Sequence, residues 1–270
     1  MFVRRRYAAI ALLVSTCAVL GVQEARLSPQ QLRQAITTDE ITIPTPGELF
    51  AALAKPGKLN WSSQYREPIS TNYRNRAQIA LNLGGLIADG FIAGEAQDSQ
   101  QVKNIGADII KMAKALGVSE KVLGCGNSIN QFAENNEWSA LQEELESTQN
   151  EVKSSMQTHR DQDLIILVSL GGWIRGTQVV SGLVAQNYDV RSAKVLRQPA
   201  LAGFIHSKMN DVSPELQHER LVKEVNIQLE AIEKLVSFPL GEAPSREKIK
   251  QLNGAATQLM QEIENKTESK

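Results

Sequence analysis

The segment Leu83-Gly84-Gly85-Leu86-Ile87 recurs as Leu170-Gly171-Gly172-Trp173-Ile174, at an offset of 87 residues. Adjacent glycines inside a helical apolar run cost about 1 kcal/mol each against alanine, so the four together cost roughly 4 kcal/mol. Close approach of two backbones offsets such a cost, because a missing Cβ lets helix axes draw together. The same register aligns Ile79 with Ile166, Leu83 with Leu170 and Ile87 with Ile174, and similarity fades on either side. The expectation is one helical unit used twice, each copy burying the apolar face of the other, with the two helices crossing at the centre. Gly90-x-x-x-Gly94 and Gly172-x-x-x-Gly176 are the spacings expected to bring them together. A rival reads Leu164 to Val168 as a strand and Ser169-Leu170-Gly171-Gly172 as a phosphate loop. It lacks the G-x-G-x-x-G spacing, and the matching stretch from Gln78 to Leu83 has little β character.

The remaining chain supports an all-α reading. Aromatic residues make up 5% of the sequence and β-branched runs are scarce, which disfavours a sheet, while 42% hydrophobic residues suffice for a core. Helical spacing predicts a helix through Ile79, Leu83, Leu86, Ile87 and Phe91, and another from Asp98 to Leu116 ended by Gly117. Further helices are expected at about Asn127 to Glu134, Trp138 to about His159, Asp163 to about Asn187 and Leu201 to Met209. Two more are expected from Ser213-Pro214 to about Ser237 and from Ser245 to about Glu264. The fold class read from this pattern is a single helical-bundle domain over 61–264 with an internally duplicated pair of Gly-Gly core helices. An arm over 22–60, with short helices near 28–36 and 48–54 and a Pro44–Pro46 linker, precedes it, and a disordered tail over 265–270 follows.

The N-terminus constrains the compartment. Arg4-Arg5-Arg6, an apolar stretch from Tyr7 to Leu20 and the small residue Gly21 read as a cleaved secretory signal over 1–21. Lipidation at Cys17 or a retained anchor are the other outcomes for that segment. Cleavage removes three arginines and takes the formal net charge from −1 to −4. A mildly acidic chain without a basic stripe disfavours a nucleic-acid partner. Cys125 alone would remain, so no intrachain bridge is available, which fits a bacterial periplasm better than animal secretion. The later helices carry interspersed charges, so no membrane span is expected in the mature chain.

Two groups of residues are candidates for a site. Asp89 and Arg175 interrupt otherwise apolar repeated segments, and buried charges are costly unless paired. They are expected to face each other or a shared ligand near the centre, as a ligand-binding site or as a structural ion pair. Asn82 and Ser169, equivalent at the 87-residue offset, are further ligand-binding candidates. Arg66, Arg74 and Arg76, among Tyr65 and Tyr73, form an anion-binding candidate, or pack against acidic helices such as the one carrying Glu143, Glu144 and Glu146. Glu215-x-x-His218 has the spacing of a di-iron helix but lacks a second pair, so no metal and no cofactor are expected. Gly124-Cys125-Gly126 reads as a glycine turn holding a small cysteine, or as a thiol at a helix start. Ser169 and Ser181 lack the nucleophile-elbow pattern.

The function expected from these features is a non-catalytic exported protein that binds a small ligand or protein partner, with homo-oligomerisation open. The alternative is an enzyme with a site between the duplicated helices, its class unspecified by any local motif.

Overall fold

A computed structural model describes Gly47, Phe50 and residues 59–118, 120–158 and 161–265. The signal segment, Cys17, most of the 22–60 arm and the tail beyond Asn265 lie outside the described residues. Within them the architecture is all-α: ten helices and one 3-10 turn, Trp61–Gln64, with no strand among the described residues. They belong to one compact unit.

Two helices form the centre. α1 (Arg76–Glu95) is buried from Ala77 to Gly94, and α5 (Gln162–Gln186) from Leu164 to Val184 except at Gln178 and Gly182. A helix that is apolar all round must be wrapped by others, and the remaining elements do this. α2 (Ser99–Leu116), α3 (Glu120–Glu134) and α4 (Trp138–Thr158) pack in succession, with α2 and α4 against α1. α10 (Arg246–Glu264) lies along α5, α9 (Arg220–Val236) backs α10, and α7 (Pro199–Asn210) packs on α9 and α5. Short α6 (Val190–Val195) and α8 (Pro214–His218) turn the chain between them. The outer helices are amphipathic: α9 buries Leu221, Val222, Val225, Leu229, Ile232 and Val236, spaced by three or four after the first pair. By length and composition α1 and α5 are each apolar enough to cross a membrane, which the sequence reading did not expect; here both are covered by their neighbours.

Local signals account for most helix ends. Asn75, Asp98, Asp189 and Ser245 each accept a backbone N–H of the first turn of α1, α2, α6 and α10. Pro199 and Pro214 open α7 and α8. Gly117, at φ 79°, closes α2 in the left-handed conformation, with Val118 N–H donating to the Ala113 carbonyl at 3.1 Å.

Four expectations need correction. α3 starts at Glu120, so Gly124-Cys125-Gly126 lies inside a helix and not in a turn; a Cβ on Gly126 would sit 2.5 Å from Ile110 Cδ1, so packing on α2 overrides propensity. The helix expected from Pro214 to Ser237 breaks at Glu219 (ψ 133°), whose carboxylate accepts from Asn75 Nδ2 at 2.6 Å, a tertiary bond no local signal announces. α6 was not expected. Finally, Gly90 and Gly94 do not make the central crossing: a Cβ on either would meet only side chains of α2 or α4, at 3.4 Å or beyond.

The crossing is made by the first glycine of each Gly-Gly pair. A Cβ on Gly84 would lie 1.9 Å from the Val168 carbonyl oxygen, and one on Gly171 would lie 1.9 Å from that of Leu81. The two contacts exchange under the 87-residue offset, Gly84 for Gly171 and Leu81 for Val168. Both obstacles are backbone, which cannot swing aside. Gly84→Ala or Gly171→Ala is therefore expected to destabilise by about 3 kcal/mol or more despite alanine's better propensity. Gly254→Ala, where a Cβ meets nothing within 4 Å, should gain up to about 1 kcal/mol. Urea unfolding of the three variants checks this, and equal effects at all three positions would refute the backbone-contact account.

Candidate functional site

Asp89 lies five residues beyond Gly84, and Arg175 four beyond Gly171, so the close crossing carries both into contact. Arg175 Nε donates to Asp89 Oδ1 at 2.8 Å, and Arg66 Nε donates to Asp89 Oδ2 at 2.8 Å. Arg66 comes from the extended segment after the 3-10 turn, and its other end reaches Glu264 at the close of α10. Gly85 makes room for it: a Cβ there would stand 3.2 Å from Arg66 Nη2 and 3.1 Å from Met260 Cε. Arg175 also donates from Nη1 to Gln178 Oε1 at 2.7 Å and from Nη2 to the Gln64 carbonyl.

The result is a chain of alternating charge, Arg175–Asp89–Arg66–Glu264, sunk among apolar helices. The Arg175 side chain is 3% exposed and that of Asp89 10%. Burial pulls the Arg175 guanidinium below its ordinary value; Asp89 opposes this and Arg66 adds to it. For Arg66 burial also works against the charge, but Asp89 and Glu264 outweigh it and the guanidinium rises above its ordinary value. Both remain cations near neutral pH.

The end of α10 is held to α1 and the segment before it by side chains that satisfy its last carbonyls. Tyr73 Oη donates to Glu264 O at 2.9 Å, Gln78 Nε2 to Ile263 O and Asn265 O, and Asn82 Nδ2 to Ile263 O at 2.9 Å. Asn82 is thus turned to the α10 terminus and makes no hydrogen bond to the Asp89–Arg175 pair. Its Oδ1 and the buried Ser169 Oγ have no hydrogen-bond partner among the described residues.

Two of the three arginines read as an anion-binding group are drawn to separate carboxylates, none on the helix carrying Glu143. Arg66 takes Asp89 and Glu264, exposed Arg76 takes Asp161 at 2.9 Å, and Arg74 is exposed. Glu215-x-x-His218 sits on the five-residue α8, where His218 Nδ1 lies 2.5 Å from the Pro214 carbonyl oxygen.

An open cleft of about 440 Å³ reaches the charge chain from solvent, within the range of small-molecule sites. Ser63, Gln64, Tyr65 and Arg66 form one wall, Arg175, Gln178, Gly182, Ala185 and Gln186 of α5 another, and Lys250, Asn253 and Thr257 of α10 the third. A side chain at Gly182 would intrude, since its Cβ would meet Gln64 Oε1 at 2.7 Å and Asn253 Nδ2 at 3.3 Å. Gln64, Gln178, Lys250, Asn253 and Thr257 escape sequence reasoning because they come from three segments and belong to no local motif. No protein-family model, curated protein or solved structure matches this chain.

Two outcomes are expected. Asp89→Asn leaves two partly or fully buried guanidinium groups without their shared anion and should cost about 3 kcal/mol in urea unfolding; a change within error would show that the network carries no stability. Tyr73, buried and beside Glu264, has its hydroxyl pushed up to about 12 against the ordinary 10.0, with Arg66 opposing. The folded state therefore holds a proton that the unfolded chain releases near pH 10, and stability falls as pH rises from about 10 to 12. Tyr73→Phe should flatten that alkaline slope; an unchanged slope refutes the assignment.

Proposed function

We propose that this chain is an exported periplasmic protein, non-catalytic, that binds a small ligand in the cleft beside the α1–α5 crossing. The observation that carries the reading is the composition of the cleft: amides, hydroxyls and three cations, with Arg175 in the wall held at nearly full burial. These are groups that hold and orient a ligand. An enzyme would instead direct acid–base or nucleophilic pairs at a reacting atom. The reciprocal contact of Gly84 with Val168 and Gly171 with Leu81 supports α1 and α5 as two copies of one helical unit, as the matching sequence suggests. The arginine-headed N-terminal segment supports export.

Native mass spectrometry of the chain recovered from an exporting cell tests the reading. The expected spectrum lacks residues 1–21 and carries a small-molecule adduct. The adduct disappears in Gln186→Trp, which plugs the cleft from an exposed position. A bare chain in both proteins would overturn the binding reading, and an intact N-terminus would overturn export.

A further inference from the structure

We infer that the ligand of this cleft is a small organic anion, a carboxylate or phosphate, seated against Arg175, Arg66, Lys250 and Thr257. The inference rests on the binding reading and follows from counting what the cleft leaves unspent. A guanidinium has five N–H donors, and Arg66 and Arg175 each make three hydrogen bonds. Both carboxylate oxygens of Asp89 are engaged, Oδ1 by Arg175 and Oδ2 by Arg66. The nearby amides are committed in part. Gln178 Oε1 accepts from Arg175 while its Nε2 donates to Thr257 Oγ1 at 3.1 Å, and Asn253 Nδ2 donates to Gln178 O and Ser181 Oγ.

The amide oxygens of Gln64 and Asn253 keep acceptor capacity, but the charged groups that remain are all of one sign. Guanidinium N–H groups, the Thr257 hydroxyl proton and the exposed Lys250 ammonium are donors, and Lys250 has no salt-bridge partner among the described residues. Charge points the same way: three cations line the cleft and no carboxylate does, while the chain behind holds only Asp89 and Glu264. A surplus of donors and of positive charge is complemented by a ligand of acceptors and negative charge, and planar guanidinium groups match carboxylate and phosphate oxygens. Arg175, buried and clamped by Asp89, Gln178 and Gln64, is pre-oriented and loses little freedom on binding.

Glucuronate, glucose 6-phosphate and glucose present one pyranose scaffold as a carboxylate, a phosphate ester and a neutral molecule. Calorimetric titration at low ionic strength, with each probe at about 10 mM, detects a site as weak as about 1 mM. The expected result is binding of glucuronate or glucose 6-phosphate, whichever binds tighter naming the anionic group, with glucose silent. Lys250→Gln should weaken that binding about tenfold, and Lys248→Gln, on the same helix outside the cleft, should leave it unchanged. Glucose binding as well as the anions, or anion binding indifferent to Lys250→Gln, overturns the anion assignment and leaves the binding reading standing. No binding of any probe also overturns it, and a bare native mass spectrum in addition takes the binding reading with it.

Discussion

The contact on which the rest depends is backbone against backbone, Gly84 on the Val168 carbonyl and Gly171 on that of Leu81. Helices that meet through side chains keep their axes roughly 8–10 Å apart. Glycine at the crossing removes that spacer, and the consequence is chemical as well as mechanical. Asp89 and Arg175 stand one turn or slightly more beyond these glycines, and the closeness of the axes lets a short aspartate meet an arginine directly. The neighbouring Gly85 does a second job, leaving the gap through which Arg66 and Met260 enter. One pair of small residues thus sets the helix separation and opens the route for the charge that neutralises it.

The core contact is symmetric under the 87-residue offset, but the charged cluster is not. The counterpart of Asp89 is Gly176 and that of Arg175 is Ala88. Arg66 and Glu264 come from segments outside both central helices. The cleft follows the asymmetric part, opening where the 3-10 turn, α5 and α10 converge. A ligand there would sense the departure from symmetry and not the shared packing, and single charged positions with chain-terminal elements decide its chemistry.

Much of the fold was legible because its signals are local. Periodicity, the caps at Asp98 and Ser245, the prolines at 199 and 214 and the glycine at 117 mark helix ends within a few residues of where they lie. The pairing of Asp89 with Arg175 was legible for an energetic reason, since charges in apolar helices require partners. What escaped was set by distant contacts. Glu219 breaks a helix while held by Asn75, and Gly126 stays helical against Ile110. Lys250, Asn253 and Thr257 look like the polar face of any amphipathic helix. They become a wall only when α10 lies along α5, and nothing within α10 indicates which helix it will cover.

The α10 terminus ties the last described residues to some of the first. Tyr73, Gln78 and Asn82 cap carbonyls that lie 191, 185 and 181 residues later, and Arg66 reaches Glu264 across 198. Without Glu264 in place, two largely buried arginines would share one aspartate, an arrangement that disfavours closure. Contacts of such long separation also close slowly. The charge chain and the carbonyl caps are therefore complete only when the α10 terminus is seated on α1 and on the segment before it.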